Sequence, residues 1–170
     1  MSEALFIGAI LALGLFWLVG MYNRLMRLRA GCLSALADIE QRWVEFSEKI
    51  KARWDGDPAI SDNLRKLLST MATISGEGRQ EPMSPMHIVH LTALLQTWSD
   101  ALSTLTRQGE GDIQNDPLEQ RAEDWGNFSN QLMAAKNFYN KSAEKYNAAV
   151  QQFPARVVAG LLGFRVGGSL

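Results

Sequence analysis

WGNFSNQLMAAKNFYNKSAEKYNAAVQQF, residues Trp125 to Phe153, carries the clearest periodicity in the chain. Trp125, Phe128, Leu132, Ala135, Tyr139, Ser142, Tyr146, Ala149 and Phe153 follow one another in alternating steps of three and four. A helix that turns once in about 3.6 residues brings such positions onto one face. Sustained for about four heptads, the alternation is the pattern of a coiled-coil seam. Pro154 closes it, because proline has no amide to continue a helical ladder. The stretch predicts a long amphipathic helix that must hide its stripe against other helices.

Working back from it, the same periodicity recurs three times. Leu25, Cys32, Ile39 and Phe46 stand seven apart, and Leu36, Trp43 and Ile50 form a second row beside them. This predicts one helix running to about Arg53, where Trp54-Asp55-Gly56-Asp57-Pro58 breaks it. Ile60, Leu64, Leu67, Leu68, Met71 and Ile74 predict a second helix over 59–75. GEGRQEPMSP, Gly76 to Pro85, reads as a loop. Ile88, Leu91, Leu94, Leu95, Trp98, Leu102 and Leu105 predict a third helix from Pro85 to Arg107, followed by a loop to Pro117. Beyond Pro154, the short apolar stretch RVVAGLLGF, Arg156 to Phe164, either caps the helices or lies along a membrane surface. No segment alternates apolar and polar residues as a half-buried strand would.

The opening residues have a different character. Ala4 to Met21 carries no charged and no strongly polar side chain. As a helix it spans roughly 27 Å, close to the ~30 Å of a hydrocarbon core. A backbone in lipid must satisfy its own hydrogen bonds, which demands a helix. Trp17 and Tyr22 lie toward its end, where amphipathic rings favour the interface. A cleaved signal peptide is the rival reading, but no basic residue precedes the apolar run and no small-x-small site follows it. Gly8 and Ala12 are spaced for close helix packing. Arg24, Arg27 and Arg29 follow the span, whereas Glu3 precedes it, so the N-terminus is expected outside and the remainder in the cytoplasm. Nothing interrupts the helix between span and core. The expected class is all-α: a transmembrane helix continuing into an antiparallel bundle of four long helices, with a short C-terminal helix. The chain divides into an anchor over 1–21, a bundle over 22–164 and a tail over 165–170.

The chain has 170 residues, and its 17 basic and 18 acidic side chains nearly cancel. No global field draws it toward nucleic acid, and no basic stripe with interleaved aromatics is present. The single cysteine, Cys32, falls in an apolar row and reads as a buried, inert thiol. His87 and His90 share a helix face, but two imidazoles fall short of a metal site, and both read as solvated surface residues. Glu77, Glu81, Glu110, Asp112, Asp116 and Glu119 lie in or beside loops with no fixed mutual spacing, so they read as solvated charge rather than an acid–base pair. No phosphate loop or dinucleotide glycine motif occurs.

Tyr139-Asn140 and Tyr146-Asn147 stand one heptad apart, and Tyr22-Asn23 stands where the first helix leaves the apolar span. The tyrosines fall in the seam, where rings fill core volume and hydroxyls need partners. Asn140 and Asn147 flank it, where amides fix register. With Phe153-Pro154 and the tail, FYNKSAEKYNAAVQQFPARVVAGLLGF, Phe138 to Phe164, resembles the LemA family signature. The start resembles it too: an apolar anchor, then YNRLMRLR at Tyr22 to Arg29, then Ala37-Asp38-Ile39. The middle departs from the family pattern, with WVEFSEKIKARW after Arg42 and no family motif over 55–117. The resemblance implies a bacterial inner-membrane protein whose Tyr22, Asn23, Tyr139, Asn140, Tyr146, Asn147, Phe153 and Pro154 are structural. It implies a LemA-like bundle over 22–164, with no catalytic residues and no cofactor. The expected role is a non-enzymatic scaffold or interaction module. Its partners would be the bilayer and either another protein or a second copy, with no nucleic acid. The alternative is a ligand-sensing bundle, with a hydrated pocket among Trp43, Trp98 and Tyr139. A third reading, a metal-dependent enzyme, would rest on His87 and His90.

Overall fold

A computed structural model describes residues 2–54, 58–78, 81–108 and 118–170. Those residues are all-helical, with no strand among them: α1 (Ser2–Trp54), α2 (Pro58–Glu77), α3 (Pro85–Gln108), α4 (Leu118–Gln151) and α5 (Ala155–Leu161). The boundaries fall where the breakers place them. Pro58 and Pro85 each stand first in a helix, where the missing amide costs nothing. Ser84 caps α3, its hydroxyl accepting from the amide of His87 at 3.2 Å. The side chains of Ile50, Ile60, Leu64, Leu102 and Leu105 lie outside the described residues.

α1 is one uninterrupted helix of 53 residues, about 80 Å at 1.5 Å per residue. Its two parts live in different surroundings. Residues 3–20 are exposed throughout, and the first large side chain to be buried is Leu25. From there Cys32, Ala35, Leu36, Ile39, Trp43 and Phe46 enter a single core with residues of α2, α3, α4 and α5. The helix is long and apolar enough to cross a membrane. Its most apolar 18-residue window has a mean hydropathy of 2.4 and none of it is buried, whereas a helix buried in a soluble core would be covered.

α1 and α4 run antiparallel along each other. Trp43 meets Phe128 at 4.9 Å and Phe46 meets Trp125 at 5.8 Å, so positions rise along one helix as they fall along the other. Phe46 and Phe128 stack at 3.9 Å, and Trp43 packs on Trp98 of α3 at 4.6 Å. Arg42 bridges outside this cluster, donating to Asp38 at 2.8 Å and to Gln131 at 3.2 Å.

The stripe on α4 departs from the expected heptad seam at two points. Ser142 is only half-buried and its hydroxyl donates to the Phe138 carbonyl, while Ala143 takes the core place. The buried positions repeat every eleven residues, Phe128–Tyr139–Val150, Leu132–Ala143 and Ala135–Tyr146. An eleven-residue repeat matches an undistorted helix better than a heptad does, so the stripe moves over by one position as α4 proceeds. Phe153 is the second departure, at 81% exposed. α4 ends at Gln151, so Phe153 lies past the helical register that would have turned it inward.

Candidate functional site: a Tyr-Asn clamp on the C-terminal segment

Both Tyr-Asn pairs of α4 face the extended segment that follows α5. Tyr146 donates its hydroxyl to the Arg165 carbonyl and Tyr139 donates to the Gly168 carbonyl, each at 2.9 Å. The asparagines bind main chain at both ends of their amides. Asn147 donates to the Gly167 carbonyl at 2.9 Å and accepts from the Gly167 amide at 2.8 Å. Asn140 does the same to the main-chain oxygen and amide of Leu170, at 2.8 Å each. A carboxamide used this way imitates the peptide group of a neighbouring strand.

The seven-residue spacing explains the register. One heptad of helix rises about 10.5 Å. Three residues of extended chain advance roughly 10 Å. Each partner therefore moves by three residues for every seven on the helix: Arg165 to Gly168 for the tyrosines, Gly167 to Leu170 for the asparagines.

The other side of the segment is equally constrained. The Gly168 amide donates to the Met83 carbonyl at 3.1 Å. A Cβ on Gly168 would stand 2.9 Å from Cβ of Ile88 and 3.1 Å from Cα of Pro85, and one on Gly167 would stand 2.7 Å from Cε of Met83. At Gly168 only glycine lets the backbone pass so close to the start of α3, whereas at Gly167 the flexible end of Met83 can give way. Beside this crossing lies a groove of about 390 Å³ with Arg29, Tyr146, Phe164 and Arg165 in its wall. Arg165 meets Glu81 at 3.7 Å across its mouth.

Burial pushes the Tyr139 phenol up to about 12, with the nearby Cys32 adding to the effect, and burial raises Tyr146 as well. Burial also raises the Cys32 thiol, in keeping with an inert core residue. The raised Tyr139 value carries a sign. The unfolded chain ionises near pH 10 and the folded chain only near 12, so this contribution to stability is whole below pH 10 and is lost as pH rises through 12. Thermal unfolding followed by circular dichroism is expected to weaken across pH 10–12 more steeply in the native chain than in Tyr139→Phe. Equal slopes would contradict the assignment.

His90 is exposed as the sequence reading expects, but His87 is buried. It shares the α3 face of Ile88, Leu91 and Leu94, and the turn at Gly78 closes over it so tightly that a Cβ there would collide with the imidazole. The two histidines are thus not a joint surface pair. Among the described residues no group of three or more His, Cys, Asp or Glu side chains could hold a metal. Glu81 is exposed; Glu110, Asp112 and Asp116 and the side chains of Glu77 and Glu119 lie outside the described residues. Trp43 and Trp98 fill the space between each other, and the Tyr139 hydroxyl is committed to the tail. Tyr22 lies edge-on to Phe164 at 6.0 Å, so the N-terminal pair sits near the end of α5. Sequence reasoning placed the amides beside the seam but missed their partners. The available signal was the Gly167-Gly168 pair together with the match in rise between seven helical and three extended residues.

No curated protein and no solved structure matches the chain. The model of the LemA family matches residues 114–168, which takes in all of α4 and α5 and the tail as far as Gly168. That match, on the stretch that carries both Tyr-Asn pairs, supports a LemA family protein.

Proposed function

We propose that the chain is a membrane-anchored, non-enzymatic interaction module, held at the cytoplasmic face of a bacterial inner membrane by residues 1–21. The observation that carries the reading is the division of α1. Residues 4–20 are exposed and apolar, while the same helix buries Leu25, Cys32 and Ile39 a few turns later. Exposed to water, so large a continuous apolar surface would be strongly unfavourable, and a bilayer is the solvent that suits it. Arg24, Arg27 and Arg29 set the orientation, with the N-terminus outside. The antiparallel bundle of long helices is then a stiff body fixed to the membrane by a continuous helix. Val44, Met86, Val89, Met133 and Phe138 remain exposed on it, as contact residues for another protein or a second copy.

Crosslinking in intact membranes, read by mass spectrometry on the full chain, tests the interaction role. Crosslinks to itself or to one defined neighbour are expected. Crosslinks confined within single chains would remove the scaffold reading.

A further inference from the structure

α5 stands beside the root of the apolar arm. Val158 and Ala159 are buried, and Phe164 reaches Tyr22 of α1. The other side is uncovered. Phe153, Val157 and Leu161 follow at four-residue steps and are 81%, 57% and 81% exposed, with Leu162 and Val166 exposed beside them. Single exposed apolar residues are ordinary on a protein surface, but five in a stretch of fourteen make this segment unusually apolar for an exposed one.

The charge around this segment is mainly basic, with Glu81 set against Arg165 at 3.7 Å. Residues 21–37 hold Arg24, Arg27 and Arg29, residues 153–170 hold Arg156 and Arg165, and neither stretch contains an acidic residue. All five arginines are exposed. The net charge of −1 is therefore +5 on these two stretches against −6 elsewhere. The end of the molecule from which the arm emerges is basic and apolar together.

We propose that the exposed face of α5 lies on the bilayer surface, with Phe153, Val157, Leu161 and Leu162 at the boundary between headgroups and acyl chains and the arginines among anionic headgroups. The proposal rests on the anchor reading above. A seven-residue helix is too small to hold a membrane alone. Tethered by the arm, it meets the bilayer as an intramolecular partner, so weak intrinsic affinity suffices. The contact would fix the tilt of the bundle, because the Tyr-Asn clamp ties the chain after α5 to α4.

The test uses the full chain in vesicles of equal parts phosphatidylcholine and phosphatidylglycerol. Cys32→Ala leaves no native thiol. A single environment-sensitive fluorophore is then placed through Leu161→Cys, through Val89→Cys on exposed α3, or through Leu11→Cys in the arm. Lipid spin-labelled near its headgroup is expected to quench the label at 161, and lipid spin-labelled deep in its acyl chain the label at 11, while both spare the one at 89. In phosphatidylcholine alone the loss of emission at 161 is expected to shrink while that at 11 persists; an unchanged loss overturns the role given to the arginines. Quenching at 11 with none at 161 overturns the α5 contact and leaves the anchor standing. A label at 161 shielded from both spin-labelled lipid and aqueous iodide means that protein covers the face, which also overturns it. No quenching at 11 removes the anchor itself and this proposal with it.

Discussion

Trp43→Ala is expected to lower the unfolding free energy by about 3–5 kcal/mol, the range for truncating a fully buried large aromatic side chain. Trp43 is 2% exposed and its ring touches Trp98, Phe46 and Phe128, so the void would open where α1, α3 and α4 meet. Those neighbours are themselves large rings fixed by their own contacts and cannot collapse into the gap. Trp43→Phe should cost much less than the alanine variant. The indole N–H groups of Trp43 and Trp98 are buried with no hydrogen-bond partner among the described residues, and phenylalanine removes one such donor while keeping most of the ring. An unpaired buried donor costs roughly 1–3 kcal/mol, which offsets part of the lost volume. Val44→Ala, at the next and exposed position, should change stability by under about 0.5 kcal/mol. Denaturant unfolding of the full chain in detergent, followed by circular dichroism, separates these cases. Equal small losses at 43 and 44 would mean that the aromatic cluster does not hold the core.

The double variant Asn140→Ala, Asn147→Ala is expected to release the C-terminal segment without unfolding the rest. It removes four hydrogen bonds to main chain. At roughly 0.5–1.5 kcal/mol net for each bond, the loss is at least about 2 kcal/mol. The freed amides and carbonyls of Gly167 and Leu170 can reach water only if the segment lifts away. Local opening therefore competes with global unfolding and wins, because the tail contributes few core side chains. Hydrogen exchange at Gly167 and Leu170 should accelerate by a factor of about thirty or more, since about 1.4 kcal/mol is a factor of ten. Exchange in the middle of α4 should stay slow. Unchanged exchange at Gly167 and Leu170 would show that the amides are not what holds the tail.

Much of this architecture can be read directly from residue order. The helices begin and end where Pro58, Pro85 and Pro154 dictate, and the apolar rows of α1 and α3 become buried rows because helical periodicity is local. The departures have several causes. Ser142 yields its place to Ala143 because a straight helix drifts against a heptad, by a fraction of a turn too small to see in a short repeat. Phe153 keeps the seam's spacing but lies past the end of the helix that would give the spacing meaning. His87 looks like a surface residue by type, and its burial depends on a turn folding over it from α2. The clamp is the clearest case. Asn140 and Asn147 are polar residues beside a core, and their partners lie 30 and 20 residues away. In sequence the tail therefore stands as a separate segment, whereas the side chains that hold it belong to the most legible helix in the chain.

In the proposed arrangement one continuous helix is lipid-embedded up to about Met21 and packed in the core beyond it. Alkaline extraction of membranes, combined with protease added to spheroplasts, tests it most directly. The full chain is expected to stay in the membrane pellet, and the bundle to be cut only after detergent opens the bilayer. Release of the chain into the alkaline wash would contradict the anchor, and digestion of the bundle in sealed spheroplasts would contradict the orientation.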